Sequence, residues 1–166
     1  MTKRLLLMLL LSAALPVRAA GVGGMFAQGN TQFSLMVGNS YAFDTNYMVI
    51  GASASHYVID GLGIGLSLES WSGSGPGITS VSPFAQYVFH TASEVQPYVG
   101  AFYRHTSIAD LPSINSVGER AGIYITSSPR SAVGFGLVHE SYLDCNTALY
   151  RNCSSTYSDV SLTFAF

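Results

Sequence analysis

Alternation of apolar and polar residues at a period of two is the feature that most restricts the fold of this chain. The last segment shows it most clearly, since every second residue there is apolar: Val160, Leu162, Phe164 and Phe166. Residues 62–69 repeat the pattern, with leucine and isoleucine alternating with glycine, serine and glutamate. Because successive side chains of a strand point to opposite faces, each such segment predicts a β-strand with one apolar face.

The composition places these strands in a membrane. Only 10% of the residues are charged and the mean hydropathy is +0.33, yet no apolar run after residue 19 has the ~20 residues that a transmembrane helix needs. Alternation offers an apolar surface to lipid without such a run. The chain therefore predicts a membrane-spanning β-barrel, with Trp71, Tyr87, Tyr103 and Tyr41 in an aromatic belt near the strand ends.

Eight segments of β-like composition are separated by turn residues, and each is close to the ~9–11 residues of a tilted spanning strand. They are Thr31–Ala42, Tyr47–Val58, Leu62–Ser72, Thr79–His90, Gln96–Thr106, Ser116–Ser127, Ala132–Leu143 and Thr156–Phe166. Residues 107–115 are expected to form a loop between the fifth and sixth strands. An even strand count suits an all-β, eight-stranded antiparallel up-and-down transmembrane β-barrel, which we expect over residues 31–166.

The N-terminal residues predict export. Lys3 and Arg4 precede a leucine-rich run, and a small residue, Ala19, ends a signal-peptidase cleavage pattern. A retained membrane anchor is the alternative, but the apolar run is too short to span ~30 Å of hydrocarbon. We expect residues 1–19 to be a cleaved signal peptide and residues 20–30 to be a short leader before the barrel.

Three stretches carry a resemblance to a known family. The apolar phase that ends on Phe166 looks like the signal by which the barrel assembly machinery recognises outer-membrane barrels. Residues 58–65, a tight turn entering a strand, and residues 82–89 followed by 96–101, two strands joined by a short turn, resemble small outer-membrane barrels of the OmpA and OmpX type. The resemblance implies an outer-membrane location, a monomer, contact with outer-membrane lipid and lipopolysaccharide, and periplasmic chaperones and the assembly machinery as partners during biogenesis.

Charged residues fall mainly in the phase opposite to the apolar one: Glu69, Arg104, Arg120, Glu140 and Asp159. Side chains fill the interior of an eight-stranded barrel, and an arginine facing lipid at mid-bilayer costs ~2–4 kcal/mol. Because charges in a low-dielectric interior must pair, we expect a structural network of lumenal ion pairs in the outer half of the barrel. Arg120 is the cation that we expect nearest to Glu140. The alternative is an ion path or a proton relay.

The two cysteines, Cys145 and Cys153, flank the segment between the seventh and eighth strands. In an exported protein such a pair predicts a disulfide. A metal site is the alternative, but two thiols with no histidine nearby are a poor ligand set. We expect no metal and no cofactor.

His139 and Ser141 lie two residues apart on the predicted seventh strand, so they share one face. This spacing resembles the His-x-Ser pair of the lipid A deacylases, a family of eight-stranded outer-membrane esterases. Tyr142 stands where that family has Asn, and Glu140 is on the opposite face, so we expect no carboxylate to orient His139. We therefore expect no enzyme, with a lipid esterase as the alternative.

The charge pattern does not indicate nucleic-acid binding, because the sequence has no cluster of basic residues and its formal net charge is −2. We expect an integral outer-membrane barrel with a structural, surface-contact or adhesion-type role and a non-conducting interior. A soluble periplasmic lipocalin-like barrel is a further alternative, and it would have its apolar phase inside and its charges outside.

Overall fold

The chain folds into one closed sheet. The computed structural model describes residues 24–42, 45–143, 145 and 153–166, so the predicted signal peptide lies outside the described residues. The strands are β1 (Thr31–Ala42), β2 (Thr45–Ile59), β3 (Leu62–Gly73), β4 (Ile78–Val88), β5 (Val95–Ile108), β6 (Leu111–Ser128), β7 (Ser131–Tyr142) and β8 (Ser154–Ala165). Each strand pairs antiparallel with the next, and β1 pairs with β8. The predicted eight-stranded antiparallel barrel is confirmed.

The two ends of the barrel are distinguished by the ends of the first and last strands. The terminal end, where β1 begins and β8 ends, also has the turns after β2, β4 and β6. Gly61 takes a φ of 80° in the turn after β2, a conformation that glycine adopts without strain. The loop end is the opposite one, and it holds the segments that follow β1, β3, β5 and β7. No helix in the described residues is long and apolar enough to cross a membrane.

Side chains alternate between the wall and the interior as predicted. Large apolar side chains of β1 and β8 point outward and are 41–57% exposed: Phe33, Leu35, Val37, Val160, Leu162 and Phe164. Their neighbours in sequence point inward, and Gln32 and Thr163 are each 1% exposed. The outward apolar residues of all eight strands form an apolar band around the wall, and polar residues such as Asn39, Ser70 and Ser158 follow it toward the loop end.

The hairpin of β5 and β6 is longer than predicted. Residues 107–115 do not form a loop, because β5 continues to Ile108 and β6 begins at Leu111. Asp110 makes the tight turn with a φ of 61°. Ile108 and Ile114 pack with a buried cluster around Tyr47 at the loop end, and this packing stabilises strand pairing within the predicted loop.

Trp71 does not belong to an outer aromatic belt. It faces the interior, where its ring lies 6.1 Å from that of Tyr47 and its Nε1 donates a hydrogen bond to Glu69 at 3.5 Å. The prediction was wrong for Trp71 because position 71 has the inward parity of β3. Tyr87 and Tyr103 do face outward and are 36% and 42% exposed.

Residues 24–30, which we call the plug, fold into the terminal end of the barrel. Met25 and Phe26 are each 3% exposed and pack with interior residues of the strands. Gln32 Nε2 donates a hydrogen bond to the Met25 carbonyl at 2.8 Å, and the Gly61 amide donates to the Phe26 carbonyl at 2.9 Å. Residues 24–30 of the segment predicted to be a short leader therefore pack into the core.

Candidate functional site

A cluster of charged side chains fills the interior toward the loop end, and Arg104 on β5 is its centre. The guanidinium donates from Nη2 to Glu69 at 2.7 Å and from Nη1 to Glu140 at 2.9 Å. Nη1 also donates to the Tyr157 hydroxyl at 2.8 Å, and Nε donates to Ser82 Oγ at 3.1 Å. The side chain of Arg104 is 3% exposed. One buried cation thus holds two carboxylates from strands on either side of it.

Glu140 has partners on both carboxylate oxygens. Oε1 accepts a hydrogen bond from Ser116, and Oε2 accepts from Arg104 and from the Tyr157 hydroxyl, the latter at 3.1 Å. Such charge-assisted bonds offset the loss of hydration that burial of a carboxylate causes. Glu69, Arg104 and Glu140 are therefore one unit, which we call the Arg104 cluster.

Arg120 does not belong to the Arg104 cluster. Its Nη2 lies 3.9 Å from Asp159, and among the described residues its buried Nε has no hydrogen-bond partner. The expectation that Arg120 is the cation nearest to Glu140 was wrong. Glu140 is paired in register with Gly118, and the ring of Phe102 occupies the space over that glycine. Both guanidinium groups face this ring, at 4.8 Å for Arg104 and 5.9 Å for Arg120, so Phe102 lies between them.

The interior toward the terminal end holds aromatic and amide groups in place of charges. Gln86 links two tyrosines: its Nε2 donates to the Tyr57 hydroxyl at 2.8 Å, and its Oε1 accepts from the Tyr124 hydroxyl at 3.3 Å. The Phe26 ring of the plug lies 5.8 Å from Tyr57 and 5.1 Å from Tyr124. We call Tyr57, Gln86, Tyr98 and Tyr124 the tyrosine layer. The sequence pattern did not predict this layer, although its four residues share the inward phase.

A cavity of about 20 Å³ lies beside the Arg104 cluster, and Met36, Arg120, Tyr157 and Asp159 are among the residues that line it. A space of that size holds roughly one water molecule. Side chains of the Arg104 cluster and of the tyrosine layer occupy the interior at these two levels, as expected for a barrel of eight strands.

The cysteines form the predicted disulfide, with a Cα–Cα distance of 5.5 Å between Cys145 and Cys153. Among the residues that the structure describes, no group of three or more His, Cys, Asp or Glu side chains could hold a metal ion. Val160, Leu162, Phe164 and Phe166 all face outward, and the Phe166 amide donates a hydrogen bond to the Thr31 carbonyl at 2.9 Å, which joins the last residue to β1.

The outer wall carries the His139–Ser141 pair. Both residues lie on the outward phase of β7, but no hydrogen bond joins them in the described part of the chain; His139 Nδ1 instead lies 2.8 Å from Thr156 Oγ1 on β8. Glu119 on β6 is the cross-strand neighbour of His139 on the other side. Glu119 is thus the nearest outward carboxylate in register, but in the described residues no hydrogen bond or ion pair joins it to His139. Its outward phase follows from Ala121 and Ile123 on the same strand.

Comparison with protein-family models finds no match, and neither does comparison with curated protein sequences. Comparison with solved structures defines the class: the fold is that of small outer-membrane barrels. The N-terminal β-barrel domain of Pseudomonas aeruginosa OprF is similar with a TM-score of 0.67 and 17% identity over 84% of this chain and 98% of that one.

Two further solved structures share this architecture. Neisserial surface protein A is similar with a TM-score of 0.63 and 19% identity, over 82% of this chain and 96% of that one. The outer membrane protein OprG from Pseudomonas aeruginosa is similar with a TM-score of 0.54 and 11% identity, over 87% and 99%. The predicted resemblance to small outer-membrane barrels is confirmed at the level of fold.

Proposed function

We propose that this chain is an integral outer-membrane barrel with a structural, surface-contact or adhesion-type role and a non-conducting interior. The observation that carries the proposal is the inverted distribution of side chains. The wall exposes large apolar residues such as Leu35, Leu68 and Leu137, whereas Arg104, Glu69 and Glu140 are buried inside. A barrel in water would bury the apolar residues, but a barrel in lipid gains by exposing them.

The packing of the interior supports the non-conducting part of the proposal. The Arg104 cluster crosses the bore toward the loop end, and the tyrosine layer with Phe26 crosses it toward the terminal end. An ion would have to displace paired charges at one level and a plug residue at the other. Any biological role then falls to the wall and to the rim of the loop end.

The proposal includes the route to the membrane. Residues 1–19 would direct export and be cleaved, and the outward phase that ends on Phe166 would be recognised by the barrel assembly machinery, with periplasmic chaperones as earlier partners. The folded chain would be a monomer in contact with outer-membrane lipid and lipopolysaccharide. The loop end would then face the cell exterior, with the Cys145–Cys153 disulfide in its last loop.

The two alternatives differ from this arrangement in specific ways. A lipocalin-like barrel requires the apolar phase inside, and the structure has it outside. A lipid esterase of the kind that the His-x-Ser spacing resembles requires Ser141 in contact with His139. In the described residues His139 instead contacts the Thr156 hydroxyl and makes no hydrogen bond to Ser141.

The test uses refolding and conductance. Protein refolded into lipid vesicles should migrate faster on cold SDS gels than after boiling, because a closed barrel stays compact in the detergent. In planar bilayers the same protein should give no conductance steps. Failure to insert would overturn the membrane assignment, whereas regular steps from inserted protein would overturn only the closed interior.

A further inference from the structure

The seam between β1 and β8 is paired over only half of its length. Its register ends at the pair Val37–Val160, but residues 38–42 of β1 and residues 154–159 of β8 lie beyond that pair. On their other sides the same residues stay paired with β2 and β7. Closure of a barrel normally removes free strand edges. Here part of the backbone N–H and C=O groups of both strands face the seam without a ladder partner in the described sheet.

The cavity of about 20 Å³ beside the Arg104 cluster lies at this unpaired part of the seam. Its lining includes Asn39 and Ser158, which point outward from β1 and β8, and Arg120 and Asp159, which point inward. Because one cavity contacts outward residues of both strands as well as inward ones, it passes between the two strands. It therefore connects the outer wall with the charged groups of the interior.

The opening lies at the loop-end edge of the apolar band. Val37 and Val160 belong to the band, and Asn39 and Ser158 are the next outward residues toward the loop end. If the loop end faces the cell exterior, as proposed above, the opening is at the level of the head groups of the outer leaflet. The lipid expected there is lipopolysaccharide, a glycolipid whose head group consists of sugars. Its acyl chains would lie along the band and its sugars beside the opening.

The charged side chains that line the cavity balance each other. They are the guanidinium groups of Arg104 and Arg120 and the carboxylates of Glu69 and Asp159. Arg104 holds Glu69 at 2.7 Å, whereas Arg120 lies 3.9 Å from Asp159 and its Nε has no partner in the described residues. A phosphate here would be repelled by Asp159, and an ammonium by Arg120. A hydroxyl group can accept a hydrogen bond from Arg120 and donate one to Asp159, so this pair favours a neutral hydroxyl.

We infer that the β1–β8 seam binds a sugar hydroxyl of an outer-leaflet glycolipid, with the hydroxyl between Arg120 and Asp159 and an acyl chain against Val37 and Val160. A space that holds roughly one water molecule admits a single hydroxyl and excludes a sugar ring. The ring stays outside, where the unpaired backbone groups of the two strands supply further hydrogen bonds. The inference rests on the proposed function, which gives the orientation of the barrel and its contact with lipopolysaccharide.

The register supplies two crosslinks that differ only in their position along the seam. Asn39→Cys with Ser158→Cys would continue the register beyond its last pair and close the opening with a disulfide. Leu35→Cys with Leu162→Cys joins two residues that are already paired, so it ties the same strands and leaves the opening unchanged. Peptide mapping verifies which cysteines are joined in each variant.

Native mass spectrometry of the refolded barrel tests the inference with two lipids of identical acyl chains, monogalactosyl diacylglycerol and phosphatidylethanolamine. The wild-type barrel should bind the galactolipid about tenfold more tightly, and lipopolysaccharide should displace it. Arg120→Met and Asp159→Asn should each reduce the ratio of the two affinities to about one. The crosslink that closes the opening should have the same effect, and the crosslink between the paired residues should preserve the ratio.

Equal affinities of the wild type for the two lipids would overturn the inference, because water alone would then fill the cavity. A preference for the galactolipid that survives Arg120→Met and Asp159→Asn would also overturn it, since sugar binding would then lie elsewhere on the wall. The two substitutions need no disulfide, so they decide the matter if the closing crosslink prevents folding, and heat-modifiable migration verifies each barrel. A barrel that inserts into vesicles without the preference contradicts this site alone. A chain that does not insert contradicts the proposed function.

Discussion

The two ends of the barrel interior are closed by different chemistry. Toward the loop end, Arg104 holds Glu69 and Glu140 through ion pairs of 2.7 and 2.9 Å. Toward the terminal end no charged pair is present in the described interior, and Phe26 packs on neutral rings such as Tyr57 and Tyr124. Paired charges depend on every partner being present, whereas apolar packing loses stability in proportion to the volume removed. At the loop end, the loss of any one charged partner should therefore remove most of the stability that the Arg104 cluster contributes. At the terminal end, the loss of stability should increase in steps with the volume of side chain removed.

Removal of the central cation should give the largest effect. Arg104→Met leaves Glu69 and Glu140 buried without a cation, which should lower the free energy of unfolding by roughly 3–5 kcal/mol. Urea unfolding in lipid vesicles measures the loss. Arg120→Met is the matched control, because Arg120 is 3.9 Å from its one carboxylate and its Nε has no described partner. It should cost clearly less. If the two variants lose the same stability, the Arg104 cluster is not a unit.

The same end offers a sharper version of this test. Arg104→Met combined with Glu69→Gln and Glu140→Gln removes all three charges together. This triple variant should be more stable than Arg104→Met alone, since no carboxylate stays buried without its partner. Additive losses over the three sites would show that the side chains act independently. The prediction that the Arg104 cluster acts as one unit would then be wrong.

At the terminal end, Phe26→Ala should remove the centre of the plug. Phe26 is 3% exposed, and truncation of a buried phenylalanine costs about 3 kcal/mol or more. Phe26→Leu fills most of the cavity that Phe26→Ala would leave, so it should lose only about half as much stability. If stability depended on an intact Phe26 in an all-or-none way, the two variants would lose the same amount. Hydrogen exchange should show faster opening of the amides of Gly29 and Gly61, which bond across the plug. Unchanged exchange there would mean that Phe26 does not anchor the segment.

The difference between the ends also explains what could be predicted from the sequence. A period of two fixes the direction of each side chain, so the inward phase of Arg104 and Glu140 and the outward phase of Leu162 were predictable. It does not fix which inward residues meet across the bore, because that depends on register and on bulky neighbours such as Phe102. The prediction that Arg120 is the cation nearest to Glu140 was therefore wrong.

The plug was missed for another reason. Residues 24–30 show neither the two-residue period of a strand nor the ~3.6-residue period of a helix. Glycine and asparagine there indicate a turn or a linker. These residues are buried because they pack into the terminal end of the closed barrel, and that contact depends on tertiary structure. The outward direction of Glu119 was predictable, since Ala121, Ile123 and Ile125 on the same strand share its phase.

The disulfide should have an intermediate effect, confined to the loop end. Replacement of both Cys145 and Cys153 by serine opens a loop with a sequence separation of 8. The chain-entropy model gives about 2.6 kcal/mol for a loop of this size. The loss should appear in urea unfolding and should not change hydrogen exchange at the plug. Reduction of the wild type with dithiothreitol should reproduce it. A loss that spreads to the plug amides would show that the two ends are coupled.

The smallest expected effect is a pH dependence at the terminal end, and it arises from His90, which follows β4. Its Nε2 is buried with no hydrogen-bond partner in the described residues, and its ring lies 6.5 Å from that of Phe26. Burial lowers the pKa of His90 from its ordinary value of 6.5, while the nearby Asp60 carboxylate acts in the opposite direction.

Because the folded barrel binds this proton less readily than the unfolded chain, the free energy of unfolding should be highest above pH 6.5 and should fall as the pH drops below that value. His90→Asn should flatten this dependence. Asp60→Asn should steepen it, since removal of the carboxylate lowers the pKa of His90 further. Urea unfolding of the three proteins over a pH series measures both slopes. If Asp60→Asn flattens the curve as His90→Asn does, the acid sensitivity of the terminal end comes from the carboxylate and its bond to the Gln28 amide, and the imidazole is not responsible.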